Sequence, residues 1–269
     1  MADDERWQVS SSAAQQYEQY VASFFAPWAE DLVQRAGLRA GWNVLDVACG
    51  TGIVTRAAGP LLGASGSIVG SDLNEEMLTE AARHKVEGAV VEWRQADATE
   101  LPFGDGSFDA VLCQQGLQFV PDKAAAAAQM YRVLRDGGSA AVSVWCRPEN
   151  NPYIAALADG LTRHLSAEAG ASMLAPCGFG KLDDLAALFE SAGFSAVEVA
   201  TMEMLREPID AVEAIEGNLA ALPMSEEIRA MEAATYAAMI DDMVATLDAH
   251  IDGGVLHQPM AANIAIAAA

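Results

Sequence analysis

The sequence is poor in cysteine and in long apolar runs, and each shortage excludes a class of protein. Its four cysteines are Cys49, Cys113, Cys146 and Cys177, and they form no Cys-x-x-Cys pair. This spacing argues against a disulfide scaffold or a zinc site, so we expect no metal. No stretch reaches the roughly 20 apolar residues of a membrane helix. The opening MADDERWQVS lacks the basic and apolar regions of a signal peptide. We therefore expect a cytoplasmic protein.

Basic residues are also scarce, with 15 Lys and Arg against 38 Asp and Glu, which gives a formal net charge of −23 at pH 7. A field of that sign repels phosphate backbones and anionic lipid headgroups. We therefore expect neither nucleic acid nor a membrane as a partner. The 52% hydrophobic fraction is ordinary for a globular protein and predicts an ample core.

Between residues 43 and 146, short apolar segments alternate with segments of helical periodicity. The predicted strands are NVLDVA, SIVGSDL, AVVEWRQAD, the first part of FDAVLCQQGLQFV, and SAAVSVW. The predicted helices are GIVTRAAGPLL, NEEMLTEAARHKV with Asn74 as its cap, and DKAAAAAQMYRVLRDGG. Strands and helices that alternate at this spacing indicate βαβ units and a doubly wound α/β fold.

The remaining segments are mostly helical. Residues 10–36 predict two helices, capped at residues 10–12 and separated at Pro27. Residues 152–169 and the segment LDDLAALFESAGF predict further helices, and SAVEVATMEM predicts a strand. Residues 208–251 predict several helices with no strand between them, and PMAANIAIAAA predicts a last strand.

The segment VLDVACGTG, residues 44–52, predicts a strand that runs into a glycine turn and then a helix. Gly50 and Gly52 would let the backbone approach a ligand closely, because neither carries a Cβ. Asp72 follows Gly52 by 20 residues at the end of the next predicted strand, where a carboxylate can accept both hydroxyls of a ribose. The alternative is a structural turn with a capping aspartate.

The third glycine of a G-x-G-x-x-G dinucleotide motif is absent, and so is a Tyr-x-x-x-Lys pair. Here the chain resembles the class I S-adenosylmethionine-dependent methyltransferases, especially the small-molecule group that includes the ubiquinone/menaquinone-biosynthesis type. The segments that carry the resemblance are VLDVACGTG, GSDLNEEML, QADATELPF, FDAVLCQQGLQFVPD and YRVLRDGGSAAVSVW, in this order along the chain. The resemblance implies S-adenosylmethionine as the cofactor and a seven-stranded, mostly parallel sheet with a helical substrate cap.

The same resemblance implies a set of cofactor contacts. Those to the methionine part would come from Asp46 and from the backbone of Ala48, Gly50 and Gly52; Ala48 replaces the first glycine of the family's D-x-G-x-G-x-G. Those to the ribose and the adenine would come from Asp72, Leu73, Met77, Asp97 and Ala98. Gln114 and Leu117 would lie near the sulfonium. Tyr17 and Tyr20 would cover the methionine carboxylate, with core packing as the alternative.

The expected domain organisation places the cofactor-binding core in residues 37–206 and 258–269. The helical cap would be built from residues 1–36, an insert at 150–180 and a larger insert at 207–257. The methionines at 231, 239 and 243 follow helical spacing, which indicates either a buried helix face or an apolar wall for the acceptor.

The predicted function is transfer of a methyl group to a small apolar or aromatic metabolite, of the kind found in secondary metabolism, by a monomer or homodimer. Such an in-line displacement depends on proximity and exclusion of water and requires no particular base. His164 is the weak catalytic candidate, ahead of His84, His250 and His257. The alternatives are a dehydrogenase or aminopropyltransferase on the same fold, and a non-catalytic cofactor-binding module.

Overall fold

A computed structural model describes residues 14–15, 17–205, 208–222 and 224–269. Ten strands lie within them: β1 (Asn43–Val47), β2 (Ser67–Asp72), β3 (Val90–Gln95), β4 (Phe108–Gln114), β5 (Leu134–Trp145), β6 (Ser195–Leu205), β7 (Ile209–Asp210), β8 (Ile251–Asp252), β9 (Val255–Leu256) and β10 (Pro259–Ala268). Seven of them form one sheet in the order β3-β2-β1-β4-β5-β10-β6. The predicted seven-stranded, mostly parallel α/β fold is confirmed.

The helices are α1 (Ser23–Arg35), α2 (Ile53–Leu62), α3 (Glu75–Ala81), α4 (Lys123–Val133), α5 (Pro152–His164), α6 (Ala167–Leu174), α7 (Leu182–Ser191), α8 (Ala211–Ala221), α9 (Ser225–Arg229) and α10 (Ala233–Thr246). A π-helical turn, Glu18–Ala22, precedes α1. In the described part of the chain, no helix combines the length and the apolar character needed to cross a membrane.

The strand order reverses beside β1, and this reversal locates the ligand-binding edge of the sheet. β1 pairs in parallel with β2 on one side and with β4 on the other. The loops that leave the carboxyl ends of these strands therefore diverge, and ligands of doubly wound folds bind in the crevice between such loops. The segment VLDVACGTG and Asp72 both lie at this edge.

Several predicted helices have different boundaries in the structure: α3 and α4 end at Ala81 and Val133, short of their predicted ends, and two others differ more. α1 runs through Pro27, so the predicted separation there is wrong. The missing N–H of this proline removes one hydrogen bond near the start of the helix, which the helix tolerates. The helix predicted over residues 152–169 is two helices in the structure. The first, α5, ends at His164, and Ser166 caps the second, α6, by accepting a hydrogen bond from Ala169 N. The predicted cap at residues 10–12 lies outside the described residues.

The chain forms two compact units. The first comprises the described residues up to 144, with 182–200 and 263–269, and the second comprises 145–181 with the described residues of 201–262. The second unit has its own apolar core, in which Leu157, Ile215 and Met243 are fully buried. The domain boundaries expected from the sequence stay a prediction.

The second unit contains strands that the sequence did not predict. β7, β9 and β8 form a small antiparallel sheet, so the expectation of helices alone over residues 208–251 is wrong. Gly253 and Gly254, both at positive φ, make the two-residue turn between β8 and β9. Strands of two residues are too short to show an alternating pattern, which is why periodicity missed them.

The methionine series also divides differently from the single helix that its spacing indicated. α9 ends at Arg229 and α10 begins at Ala233, so Met231 lies between two helices. Met239 and Met243 are fully buried in the core of the second unit. For these two residues the buried helix face is confirmed.

In the first unit, one tryptophan explains two glycines. Trp93 on β3 stands beside Gly70 on β2 in the parallel register. A Cβ added to Gly70 or Gly52 would lie closer than 3.0 Å to the Trp93 ring. The ring therefore packs over backbone that only glycine leaves free.

We predict that Gly70→Ala destabilises the protein by about 1–3 kcal/mol, the cost of overpacking a rigid site. Urea unfolding would measure the change. Gly217→Ala, in the open middle of α8 where an added Cβ meets nothing within 4 Å, should instead stabilise it by up to about 1 kcal/mol. Combining Gly70→Ala with Trp93→Leu should recover part of the loss; no recovery would show that Trp93 is not the obstacle.

Candidate functional site

The candidate site is built on the loop that follows β1. Ala48, Gly50 and Gly52 all have positive φ, at 54°, 54° and 85°. The N–H of Gly50 donates to Oδ2 of Asp72 at 2.8 Å, so this loop is tied directly to the end of β2. A Cβ at Gly50 would meet no atom within 4 Å, which leaves its backbone open to a ligand. The structure thus brings together the glycines and the carboxylate that the sequence singled out.

Asp46, the last carboxylate before the loop, is fully buried. The Thr55 hydroxyl donates to its Oδ2 at 2.7 Å, whereas its Oδ1 is buried without a hydrogen-bond partner. Burial raises the pKa of Asp46 to about 7, although the hydrogen bonds from Thr55 act in the opposite direction. A cationic group at Oδ1 would stabilise the ionised form.

Asp72 is partly buried and accepts hydrogen bonds from several backbone donors. Its Oδ1 accepts a hydrogen bond from Asn74 N at 2.9 Å, in addition to the bond from Gly50. Burial raises the pKa of Asp72, and the N–H groups of Asn74, Gly50 and Leu73 partly offset this effect. Asp46 and Asp72 therefore give this edge of the sheet a preference for positively charged or hydroxyl-rich ligands.

The cysteines beside these carboxyls are not poised for chemistry. Cys49 and Cys113 are buried, and both thiols have raised pKa values, about 12 for Cys113, because burial and nearby carboxylates disfavour the thiolate. Nucleophilic catalysis by either thiol is therefore disfavoured.

The residues predicted to bind the adenine lie around the ends of β2 and β3. Asn74 caps α3, as predicted, by accepting hydrogen bonds from Glu76 N and Met77 N. The carbonyl of Leu73 accepts from Gln95 Nε2 at 2.9 Å. The exposed Asp97 accepts from the backbone and the hydroxyl of Thr99, both on Oδ1. Ala98 follows it, partly buried.

Gln114 ends β4, and its Nε2 donates to the carbonyl of Phe25 on α1 at 3.2 Å. Its Oε1 is buried and has no hydrogen-bond partner. Leu117 is fully buried nearby in sequence. The sequence interpretation missed Gln115, which has a positive φ of 53° and accepts a hydrogen bond from Gln118 Nε2. The amide-rich string CQQGLQ was the available signal.

Tyr17 is partly buried, and its ring stacks on Phe25 with centroids 6.3 Å apart. Burial, together with the charges of Asp72 and Glu18, raises its pKa well above the ordinary tyrosine value. Tyr17 is therefore close enough to Asp72 for the carboxylate charge to disfavour ionisation of the tyrosine hydroxyl. The side chain of Tyr20 lies outside the described residues, so its predicted role stays a prediction.

Arg56 makes two contacts near the loop after β1 that no sequence pattern predicted. Arg56, on the first turn of α2, donates to the carbonyl of Thr51 at 2.6 Å and pairs with Glu18 at 2.7 Å. The pair joins residues 38 positions apart, a separation that no local pattern reports.

Of the four histidines, His84 belongs to the first unit and the other three belong to the second. His164 belongs to the second unit, where its Nε2 lies 2.7 Å from Oδ2 of Asp242. The Nε2 of His84 lies 3.1 Å from Oε1 of Glu80, and its side chain is partly buried. His250 precedes β8 and His257 follows β9, and the carbonyl of His250 accepts a hydrogen bond from His257 N. Among the described residues, no group of three or more His, Cys, Asp or Glu side chains is arranged to hold a metal ion.

Comparisons with known proteins agree with this geometry. Residues 45–142 match the family model described as a methyltransferase domain. Two relatives named ubiquinone/menaquinone biosynthesis C-methyltransferase, from Saccharophagus degradans and Hahella chejuensis, are 37% and 40% identical over 126 residues. These matches cover 46% of this chain and 51% of each relative. The chain thus spans about half the length of the relatives it matches.

Solved structures resemble the fold over a longer part of the chain. A methyltransferase-like protein from Bacillus halodurans gives a TM-score of 0.58 at 21% identity, covering 89% of this chain and 97% of that one. Phosphoethanolamine N-methyltransferase 2 from Haemonchus contortus, in complex with S-adenosylmethionine, gives 0.63 at 19% identity, covering 98% and 58%. Matches at such low identity show the fold alone, and this fold agrees with the α/β architecture described above. Residues 45–142 therefore match a methyltransferase domain, and the motifs and fold of this chain resemble those of the class I S-adenosylmethionine-dependent methyltransferases, especially the ubiquinone/menaquinone-biosynthesis type.

Proposed function

We propose that this protein transfers a methyl group from S-adenosylmethionine to a small aromatic or apolar acceptor. The observation that carries the proposal is the hydrogen bond from Gly50 N to Asp72 Oδ2. This bond holds the open glycine loop beside the carboxylate that we expect to accept the ribose hydroxyls. The residues present fit the cofactor, because Gly50 offers unobstructed backbone and Asp46 offers an unpartnered carboxylate oxygen.

When bound, S-adenosylmethionine supplies an electrophilic methyl group on a sulfonium. In this proposal Asp46 holds the cationic methionine end, Asp72 holds the ribose hydroxyls, and Asp97 with Ala98 contacts the adenine. Gln114 and Leu117 lie beside the sulfonium, and Tyr17 covers the cofactor. The contribution of the chain is to orient the cofactor and exclude water, which are the main requirements of an in-line displacement.

The names of the relatives refine the acceptor class. Proteins 37–40% identical over the matched segment are named for C-methylation in ubiquinone and menaquinone biosynthesis. We propose, by similarity, an aromatic acceptor of the quinol kind. The matched segment covers less than half of this chain, so the proposed acceptor class rests on that segment alone.

Titration calorimetry with S-adenosylmethionine, S-adenosylhomocysteine and NAD tests the cofactor assignment. Micromolar binding of the first two without NAD, followed by release of S-adenosylhomocysteine when a hydroquinone is added, would support the proposal. Binding of NAD alone would indicate a dehydrogenase. Cofactor binding without turnover across a panel of hydroquinones, phenols and amines would favour a non-catalytic module.

We predict that Asp72→Ala weakens S-adenosylmethionine binding at least tenfold, about 1.4 kcal/mol, because it removes the ribose acceptor and releases Gly50 from β2. Calorimetry would measure the affinity, and circular dichroism would verify that the variant is folded. Asp136→Ala, an exposed aspartate on β5, serves as the matched control and should bind normally. Unchanged affinity in Asp72→Ala would place the ribose elsewhere.

A pH prediction follows from Asp46. Because burial raises its folded-state pKa from 3.8 to about 7, the cofactor-free protein loses stability as pH rises from about 4 to about 7, where this carboxyl is ionised in the unfolded chain but still protonated in the folded one. A bound cation favours the ionised form, so affinity for S-adenosylmethionine should fall about tenfold between pH 8 and pH 6. Asp46→Asn should bind more weakly at pH 8, show a flatter pH profile, and be more stable without cofactor at that pH. A profile as steep as that of the wild type would show that another group titrates.

A further inference from the structure

We infer that Arg56 is a positioning residue that holds the loop after β1 and the N-terminal turn bearing Tyr17 in one arrangement, so that both meet the cofactor together. The inference deepens the proposed function and rests on it, because it assumes that the loop binds S-adenosylmethionine. It concerns a side chain that none of the sequence motifs includes.

The first half of the inference is the contact with the loop. Arg56 lies in the first turn of α2, and its guanidinium reaches back to the carbonyl of Thr51 at 2.6 Å. Thr51 stands between Gly50 and Gly52, two positions with positive φ and no side chain to limit their motion. A charge-assisted hydrogen bond to the carbonyl between them therefore restrains the part of the loop that sequence alone leaves most free.

The second half is the contact with the N-terminal turn. The other guanidinium nitrogen of Arg56 pairs with Oε1 of Glu18 at 2.7 Å, and the two side chains are only 20% and 17% exposed. Water screens such a pair less than a surface pair, and removing one partner leaves the other charge poorly solvated. Oε2 of Glu18 is itself buried without a hydrogen-bond partner, which adds to that cost.

Glu18 opens the π-helical turn Glu18–Ala22, and Tyr17 immediately precedes it. π-helical turns are uncommon and are frequent at functional sites. Because Tyr17 directly precedes Glu18 and is within reach of the charge of Asp72, fixing Glu18 also restrains the aromatic ring that is proposed to cover the cofactor. One guanidinium thus connects the two walls of the cofactor site.

The geometry requires arginine in particular. Its planar fork presents several N–H donors in fixed directions, so it can bond Thr51 and Glu18 at once. The single ammonium of a lysine would satisfy the charge of Glu18 but would not span both partners in the same way. Arg56→Lys therefore distinguishes the effect of the positive charge from the effect of bonding Thr51 and Glu18 at the same time.

The test compares Arg56→Gln, Arg56→Lys and Glu18→Gln with the control Arg35→Gln. Arg35 forms an ion pair of similar length with Asp31 on α1, but the pair is exposed and bonds no part of the loop. Calorimetry would give the affinity for S-adenosylmethionine, and hydrogen exchange of residues 17–22 without cofactor would report the N-terminal turn. Thermal unfolding would report global stability.

We expect affinity to fall about tenfold in Arg56→Gln and about threefold in Arg56→Lys, whereas Arg35→Gln should stay within twofold of the wild type. Exchange in residues 17–22 should accelerate in Arg56→Gln and in Glu18→Gln. A lower unfolding temperature with unchanged affinity and unchanged exchange would reduce Arg56 to an ordinary stabilising residue and overturn the inference.

The two proposals fail in distinguishable ways. If the wild type does not bind S-adenosylmethionine, the proposed function fails, and with it the claim that Arg56 serves that cofactor. If the wild type binds and Arg56→Gln binds equally well, only the positioning role fails. Should Arg56→Gln not fold, Glu18→Gln alone decides, because it leaves the bond to Thr51 in place; unchanged affinity and exchange in that variant would contradict the inference.

Discussion

The candidate site depends on one hydrogen bond, from Gly50 N to Asp72 Oδ2, which joins the loop after β1 to the end of β2. The parallel register makes this bond possible, because it aligns Asp46 with Gly70 and Val47 with Ser71. The loop can then turn back toward Asp72 only with a left-handed backbone, which glycine adopts at little cost. Trp93 packs against the glycines from β3 and closes the space behind the loop. This hydrogen bond therefore fixes the loop after β1 relative to the end of β2, and the candidate site is formed by these two segments.

The site has an electrostatic cost that a suitable ligand relieves. Asp46 and Asp72 are carboxyls taken largely out of water, and burial opposes ionisation of both. Hydrogen bonds from Thr55 and from backbone N–H groups offset this penalty only in part, and Oδ1 of Asp46 keeps no protein partner. A cationic or hydroxyl-bearing ligand would offset this penalty, so the cost of burying the two carboxyls would favour such a ligand over an apolar one.

Sequence alone could predict the first half of the chain well because its signals there are local and repeated. The buried strands, the glycine turn and the Asn74 cap each lie within a few residues of one another, and the structure places Asp72 where the spacing indicated. The features that escaped prediction are non-local or very short. Glu18 and Arg56 form an ion pair although they lie 38 residues apart in the sequence. The strands β7, β8 and β9 have only two residues each. Met231 shares helical spacing with Met239 but not a helix, since spacing does not reveal where one helix ends and another begins.

The surroundings of His164 bear on whether the reaction uses a base. Its Nε2 lies against Oδ2 of Asp242, and Arg163 donates to that same oxygen at 2.8 Å. The Asp242 carboxylate therefore binds the imidazole of His164 and the guanidinium of Arg163 together. The three side chains join α5 to α10, which is what a structural clamp between two helices requires. Methyl transfer from a sulfonium turns a cation neutral and gains most from alignment and dryness. Proximity set by the glycine loop and its carboxylates is therefore a sufficient account of the proposed chemistry, and a catalytic role for His164 stays a prediction.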